Sequence, residues 1–238
     1  MVYELIKLPQ YRVCSVVRRL NRFVVLINCG QGIEEAYITN TGRLEGLLKP
    51  RVKAYCVPKH SGRIKYWLVA TEEVGGPALI DTRLQERAFA VAVNESLIPW
   101  LKGFKTVLRN PRIGDSVLDY LLKDVRGREL VIELKSAVLR SGPNGEYSTY
   151  PDCPSERGVK HLKQLIKLAE EGKEVAAVFI NTLSNVKAFT PNDDVDPRVR
   201  KLLRKLRSKG GLIKAITLTY DPRRNTIKLT NTDLPTII

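Results

Sequence analysis

Two opposite charges lie inside a stretch of sequence that otherwise has the pattern of a β-strand. The stretch is LVIELKSAV, residues 130–138, and strand alternation places Glu133 and Lys135 on the same side of it. The segment before it, SVLDYLLKD, contains Asp119 and is joined to it by the polar turn DVRGRE. A hairpin centred on Arg126 sets Asp119 directly opposite Glu133, so the sequence predicts two facing carboxylates with a lysine beside them.

Carboxylates that face each other on neighbouring strands repel, whereas a divalent cation between them turns repulsion into coordination. Mg²⁺ binds one or two carboxylates together with waters and phosphate oxygens. We therefore predict that Asp119 and Glu133 hold Mg²⁺ or Mn²⁺, with the backbone carbonyl of Leu134 as a third ligand. Lys135 would orient the attacking water or stabilise charge on phosphorus. These groups are typical of metal-dependent phosphodiester hydrolysis.

The alternative interpretation of this motif is an ordinary solvated strand face. An isolated Glu-x-Lys is common, and a slip of one residue in the register moves Asp119 to the other face of the sheet. The predicted register has two further consequences that a structure can check. It pairs Lys123 with Glu129, and Leu121 with Val131.

Length and composition allow two modest domains or one large one. The chain has 238 residues, of which 43% are hydrophobic and 27% charged, as in globular proteins. No apolar run is long enough to cross a bilayer, and the first residues do not resemble a signal peptide, so we expect a cytoplasmic protein without a membrane partner. The net charge of +15 favours a polyanionic partner such as nucleic acid, unless it reflects a generally basic proteome.

The four cysteines show neither a CxxC pair nor a zinc-binding spacing. We expect buried thiols in a reducing cytosol, with a disulfide as the alternative if the protein comes from a thermophile. A single methionine and many Lys, Arg and Glu residues indicate a hot environment. The cysteines are Cys14, Cys29, Cys56 and Cys153.

Residues 1–80 have the pattern of short strands joined by turns. Segments rich in Val, Ile and Tyr recur at the spacing of a small barrel or sandwich, and a five-stranded oligonucleotide-binding (OB) barrel fits their number. We therefore predict an OB-like, nucleic-acid-binding domain over residues 1–80. The strand-like segments are residues 22–29, 34–39, 53–57 and 63–71.

Several residues of this first half are candidates for binding nucleic acid. Arg19 and Arg22 lie next to Phe23, and charge combined with an aromatic ring is what single-strand binders use. The alternative interpretation of Phe23 is that it packs in the hydrophobic core. Asn40 begins a predicted tight turn that ends at Gly42, on the same surface.

Residues 81–238 mix helices and strands, which predicts an α/β arrangement around one sheet. Thr82 and Gln85 have the spacing of a capping box at the start of a helix. A later helix begins after Asp196, with Pro197 in its first turn, and ends near Gly210. We interpret its basic face as the solvent-exposed side of an outer helix. The alternative is that this face binds phosphate.

The helix that begins near Ser155 follows the motif strand. Its apolar stripe leaves Arg157, Lys160 and His161 on other faces, where they would meet phosphates or simply face solvent. We do not expect His161 to bind a metal, because the only other histidine, His60, lies in the other half of the chain.

The segment from Arg140 to Pro154 is rich in Gly and Pro and comes directly after the motif strand. We predict a mobile cover over the site, since loops next to sites often carry function. Asp152, within it, would either reach the metal as an accessory ligand or cap the following helix.

In these motifs, and in further stretches along its length, the chain resembles the sugar fermentation stimulation protein family. That family joins an N-terminal OB-like β-barrel to a C-terminal α/β domain like the PD-(D/E)xK nucleases, with a central mixed sheet flanked by helices. The resemblance implies that Asp119, Glu133 and Lys135 belong to the nuclease motif. It also implies DNA binding without clear sequence preference, and a regulatory role in sugar metabolism. The matching stretches are RRLNRF, NTGRLEGLLKP, DYLL, IELKSAVL and YPDCPSERGVKHLKQL.

The chain departs from the family at two positions that are usually acidic, which are occupied by Val91 and Asn110. Glu86 and Glu95 are the nearest substitutes. Two hypotheses therefore remain. The first is a DNA-binding protein with a Mg²⁺-dependent phosphodiesterase (nuclease) site, and the second is a non-catalytic, sequence-nonspecific DNA-binding regulator with a degenerate nuclease fold. The sequence does not define the oligomeric state.

Overall fold

The N-terminal third of the chain forms a closed β-barrel in the computed structural model, which describes residues 1–238. The first seven strands are β1 (Tyr3–Lys7), β2 (Arg12–Asn21), β3 (Val24–Asn28), β4 (Ile33–Tyr37), β5 (Lys53–Pro58), β6 (Tyr66–Glu73) and β7 (Gly76–Leu79). The barrel strands are hydrogen-bonded in the order β4-β3-β2-β5-β6-β7, and a parallel pairing of β4 with β6 closes five of them into the barrel. All four predicted strand segments are present.

The barrel interior is apolar because alternate residues of each strand point inward. Its centre includes Val16, Val25, Ile27, Ala36 and Leu68, all at most 1% exposed.

The expectation of four reduced cysteines is wrong, because Cys14 and Cys29 form a disulfide. β2 and β3 are antiparallel, with Ser15 opposite Asn28, so the same register sets Cys14 opposite Cys29. Their Cα atoms are 4.1 Å apart. Cys56 and Cys153 are free thiols.

The second half of the chain contributes six strands of a seven-stranded mixed sheet with the order β1-β18-β17-β15-β12-β11-β8. β12, β15 and β17 are parallel, and the other pairs are antiparallel. The elements are α1 (Thr82–Asn94), a 3₁₀ turn (Pro99–Leu101), β8 (Phe104–Arg109), β9 (Arg112–Ile113), β10 (Ser116–Val117), β11 (Tyr120–Asp124), β12 (Glu129–Ala137), β13 (Leu139–Ser141), β14 (Tyr147–Tyr150), α2 (Glu156–Glu170), β15 (Glu174–Asn181), β16 (Ala188–Pro191), α3 (Pro197–Ser208), β17 (Leu212–Asp221) and β18 (Thr226–Asn231).

Helices cover both faces of this sheet. α1 packs on one face, around Phe89, Ile132 and Leu134. α2 and α3 cover the other face, around Val131 and Phe179. The predicted fold class is confirmed: an OB barrel followed by an α/β domain with a mixed sheet and three helices. None of these helices is both long and apolar enough to cross a membrane.

The predicted domain boundary at residue 80 stays a prediction. One strand from before this boundary, β1, belongs to the sheet of the domain after it. β1 pairs with β18 along the outer edge of the seven-stranded sheet, with Tyr3 opposite Leu229. The barrel therefore lies between two segments of chain that both belong to the α/β sheet.

The start of α1 differs from the predicted capping box. Asp81, and not Thr82, is the N-cap, and its carboxylate accepts a hydrogen bond from the Leu84 N–H. Gln85 instead donates to the carbonyl of Leu79. Asp81 is buried because the barrel supplies two further donors to its side chain, the hydroxyl of Thr39 and the indole of Trp67. The caps of α2 and α3, by contrast, lie at the predicted serine and aspartate.

The predicted mobile cover after the motif strand is wrong as well. β13 and β14 form a hairpin in this segment, and β14 extends it by pairing with β16. Arg140 on β13 donates two hydrogen bonds to the carboxylate of Glu73 on the barrel. The segment is therefore part of the framework that joins the two domains.

Candidate active site

The β11–β12 hairpin has the predicted register, with Lys123 opposite Glu129 and Leu121 opposite Val131. Asp119 directly precedes β11, and its own N–H donates to the carbonyl of Ile132. Its carboxylate accepts a hydrogen bond of 2.6 Å from the N–H of Leu134. The hairpin thus brings Asp119 to the same stretch of β12 that carries the motif charges.

Glu133 lies on β12 and is only 2% exposed. Its Oε1 contacts both the ammonium of Lys135 and the Nδ1 of His161, the latter at 2.5 Å. Its other oxygen, Oε2, is buried and has no hydrogen-bond partner. A buried carboxylate oxygen without a partner is costly in free energy, so its presence calls for a ligand that the protein itself does not supply.

The pKa values of the two carboxylates, Asp119 and Glu133, are shifted in opposite directions. Burial and the nearby charge of Glu133 raise the pKa of Asp119 to about 7. Burial acts in the same direction on Glu133, but Lys135 and His161 outweigh it and hold the pKa of Glu133 below its usual range. Burial lowers the pKa of Lys135, but Glu133, Tyr150 and Asp119 together outweigh it and raise the pKa above its usual range, so this lysine stays charged. The site thus holds one firmly ionised carboxylate and one that ionises near neutrality.

These side chains form the floor of a cavity of about 290 Å³ between the barrel and the α/β domain. The barrel contributes the turn from Thr39 to Thr41, α1 contributes Glu86, and the start of α2 contributes Arg157. Asp119, Glu133, Lys135 and His161 all line the same cavity. The predicted catalytic trio therefore converges on one space.

Of the two glutamates nearest to Val91, Glu86 lies at the cavity and Glu95 does not. Glu86 is five residues before Val91 on α1 and lines the cavity, whereas Glu95 is the C-cap of that helix. Burial raises the pKa of Glu86, and the neighbouring Arg109 opposes this. Asn110 has a left-handed backbone with φ 55°, and its N–H donates to the carbonyl of Asp119, so it supports the turn before β11.

His161 does not lie on a solvated face, because its ring is buried against Glu133. Its contact with phosphate stays a prediction. The sequence carried one signal for this arrangement, the glycine three residues earlier. A Cβ at Gly158 would lie 2.4 Å from the hydroxyl of Tyr150, which also lines the cavity. The first turn of α2 therefore approaches the site closely, and it brings His161 with it.

Two of the nucleic-acid candidates, Arg19 and Asn40, do not point to solvent, and neither does the predicted accessory residue Asp152. The guanidinium of Arg19 donates to the backbone carbonyls of Arg22, Asn40 and Gly42, so it holds the turn together. Asn40 is buried and accepts from the N–H of Gly42, as the predicted tight turn requires. Asp152 does not line the cavity that contains Glu133, and it does not cap α2, whose N-cap is Ser155.

Asp152 instead packs against the barrel. It accepts a hydrogen bond of 3.1 Å from the N–H of Leu44, and a Cβ at Gly42 would lie 2.1 Å from its carboxylate oxygen. Only glycine allows this close approach. The other candidates, Arg22, Phe23, Arg157 and Lys160, are exposed. The side chain of Phe23 is 47% exposed, so it lies outside the core.

The donor set fits a divalent cation only in part. No group of three or more His, Cys, Asp or Glu side chains is arranged to hold a metal ion. Two carboxylates with one unpartnered oxygen do match what Mg²⁺ takes from proteins, because it keeps several waters and substrate oxygens. The residues present therefore fit an open site rather than a closed cage.

Comparisons with known proteins agree with this fold. Residues 17–80 match the family model "SfsA N-terminal OB domain", and residues 83–224 match "Sugar fermentation stimulation protein RE domain". The sugar fermentation stimulation protein homolog of Pyrococcus furiosus is 47% identical over 86% of this chain and 87% of its own length. That of Archaeoglobus fulgidus is 40% identical over 94% of this chain and 95% of its own.

A solved structure of Pyrococcus furiosus SfsA in complex with Ca²⁺ is similar over 99% of both chains, with 42% identity and a TM-score of 0.93. The chain described here belongs to the sugar fermentation stimulation protein family.

Proposed function

We propose that this protein hydrolyses phosphodiester bonds of nucleic acid, with DNA as the favoured substrate, and that it requires Mg²⁺ or Mn²⁺. The observation that carries the proposal is the buried Oε2 of Glu133, which has no partner although Asp119 and Lys135 line the same cavity. Folding stability does not account for an open position of this kind, because an unpaired buried oxygen only costs free energy.

Asp119 and Glu133 would hold the ion, with the backbone carbonyl of Leu134 as the third protein ligand. The ion would lower the pKa of a bound water and neutralise charge on the phosphate. The ammonium of Lys135 stays protonated beside Glu133, so it acts as a donor to phosphate oxygen or water rather than as a base. His161 keeps the Glu133 carboxylate in place through its Nδ1.

A relative supports the use of a divalent cation. The Pyrococcus furiosus structure is described as a complex with Ca²⁺. Calcium and magnesium both take oxygen ligands, although they differ in size and rigidity of coordination. In the present chain the oxygen donors at the cavity floor are Asp119 and Glu133, with Glu86 on the wall.

The surface around the cavity suits a polyanion. The net charge of the chain is +15, and Arg157 and Lys160 are exposed at the start of α2. We assign the barrel, which lies within residues 1–80, to nucleic-acid binding and the α/β domain, residues 81–238, to the chemistry. Affinity should then fall steeply with salt and depend little on sequence.

The test compares wild-type protein with Glu133→Gln, using end-labelled DNA in Mg²⁺, Mn²⁺ or EDTA. Cleavage should require the metal and fall at least about 10³-fold in Glu133→Gln, because the variant loses a charged ligand. Glu129→Gln is the matched control, since Glu129 lies on the same strand but is exposed. Equal cleavage by wild type and Glu133→Gln would contradict the proposal.

A second function, DNA binding without catalysis, is favoured by one observation. No three-residue metal cluster is formed, and Val91 and Asn110 stand at usually acidic family positions. Titration calorimetry with Mn²⁺ separates the two functions. Metal binding that is lost in Asp119→Asn supports the hydrolase, whereas no binding at millimolar Mn²⁺ supports the regulator.

A further inference from the structure

Hydrogen bonds between the barrel and the α/β domain flank, on two sides, the cavity that contains the proposed catalytic residues. On one side, the hydroxyl of Thr39 donates to the carboxylate of Asp81 at 2.8 Å, and the N–H of Thr82 donates back to Thr39 at 2.9 Å. On the other side, the N–H of Leu44 donates to Asp152. The turn between these contacts, Asn40 to Gly42, is therefore held in place beside the cavity, which Asn40 and Thr41 line, and we call this turn the roof.

The floor is correspondingly hard to reach. Glu133 is 2% exposed, and the side chain of Lys135 is 11% exposed. The cavity volume of about 290 Å³ is at the lower end of the range of about 300–1,000 Å³ that is usual for small-molecule sites. A cavity of this size suits the reacting part of one polynucleotide chain better than two paired chains.

The cavity shares lining residues with two open depressions. Thr41 lines the cavity and also a depression of about 470 Å³ on the barrel, where Arg22 and Arg43 lie. Arg157 and His161 line the cavity and also a second depression of about 390 Å³ beside Lys160. This second depression has two acidic residues: Glu156, which is paired with Arg198 at 2.8 Å, and the exposed Asp115. We call the cavity and the two depressions together the groove, with the depressions as its ends, and basic residues lie in both of them.

We infer that this groove binds a single strand of nucleic acid, which threads beneath the Asn40–Gly42 turn, and that a duplex is excluded from the site. This inference rests on the proposed function and names its substrate class. A flexible single strand can turn its phosphate toward Glu133 and Lys135 while its bases point away. A duplex keeps its phosphates on a broad, stiff cylinder, so they remain outside the roof.

Two further features, one beside the groove and one within it, suit a single strand. Phe23, next to Arg22 on the barrel, is 47% exposed, and an exposed ring beside a cation is a stacking platform for an unpaired base. At the other end, Arg157 lies in the first turn of the 15-residue helix α2, where backbone N–H groups and the helix dipole favour phosphate.

The first experiment measures binding by wild-type protein in EDTA, where metal-dependent cleavage cannot occur. Fluorescence anisotropy would compare a labelled 20-nucleotide oligo(dT) with the dT·dA duplex of the same length. We expect the single strand to bind at least about tenfold more tightly, because stacking and phosphate contacts in the groove are available to it alone. Equal or tighter binding of the duplex overturns the inference, whether or not the protein cleaves DNA.

The second experiment locates the strand. The double variants Arg22→Glu/Arg43→Glu and Arg157→Glu/Lys160→Glu reverse charge at the two ends of the groove. Each should weaken oligo(dT) binding at least about fivefold, because phosphate contacts dominate such affinity. Arg126→Glu, on the exposed turn of the β11–β12 hairpin, is the control and should bind as wild type does. Weakening by only one end, or by the control equally, overturns the threaded path.

Failure of the strand inference and failure of the proposed hydrolysis are distinguishable. Binding in EDTA reports strand preference alone, and the Glu133→Gln cleavage assay reports chemistry alone. Circular dichroism of each variant identifies any that fail to fold, and for those Arg22→Gln/Arg43→Gln and Arg157→Gln/Lys160→Gln replace the reversals with neutral side chains.

Discussion

β12 and β15 are neighbouring parallel strands that are covered by helices on both faces, yet they carry different residues. β15 reads EVAAVFIN and is apolar along its buried length, as parallel strands usually are. β12 has Glu133 opposite Ala177 and Lys135 opposite Phe179, in the same layer of the same sheet. Position in the fold therefore does not demand the charges. Their presence on one strand only supports the proposed active site.

The largest expected effect comes from placing a charge on the apolar strand. Ala177→Glu buries a carboxylate beside α2 without a cation partner, and it should lower the free energy of unfolding by at least about 4 kcal/mol. Urea denaturation followed by circular dichroism measures the loss. Ala177→Leu adds bulk without charge and is the control, with an expected cost of about 1–3 kcal/mol. Similar costs for the two variants would mean that volume, and not charge, separates the strands.

The next effect comes from breaking the charged pair on β12. Lys135→Met leaves Glu133 buried without its main counter-charge, which should cost about 3 kcal/mol of unfolding free energy. The double variant Glu133→Leu/Lys135→Met gives β12 the character of β15, and it should recover stability to within about 1 kcal/mol of wild type or better. A double variant that is as unstable as Lys135→Met would show that the pair is needed for folding.

A smaller effect concerns Asp119, whose pKa is raised to about 7 by burial and by Glu133. The folded state then holds a proton that the unfolded state has released, so stability of the metal-free protein falls as pH rises from about 4 to 7 and then levels. Asp119→Asn lacks this titration, so its stability advantage over wild type should grow by about 2 kcal/mol between pH 5 and pH 8.

Thermal melts in EDTA across that pH range measure the change. Asp115→Asn, an exposed aspartate four residues earlier, is the control and should show no such growth. A constant difference between Asp119→Asn and wild type would mean that Asp119 titrates normally.

Local patterns were sufficient to predict much of this molecule. The polar turn DVRGRE is short enough to define the register of the β11–β12 hairpin, and Lys123 indeed lies opposite Glu129. The start of α3 follows from Asp196 and Pro197, because a helix N-terminus is determined by its own first residues. The barrel strands were predictable for the same reason, since alternation is a property of neighbouring residues.

The rest depends on residues that are distant in sequence. Asp81 became the cap of α1 because Thr39 and Trp67 of the barrel surround it, and no pattern around residue 81 contains that information. His161 is buried only because α2 packs against Glu133, 28 residues earlier. Such contacts are set by how the two domains dock, so a reading of periodicity and capping could not supply them.

The pairing of β1 with β18 has a practical consequence for anyone who wishes to isolate the α/β domain. A protein cut at residue 80 would lose β1 and leave the backbone N–H and C=O groups of β18 exposed along an open sheet edge. Such an edge recruits other chains and promotes aggregation. A soluble fragment is expected only when the first strand, Tyr3–Lys7, is retained and rejoined to α1 by a short linker that replaces the barrel.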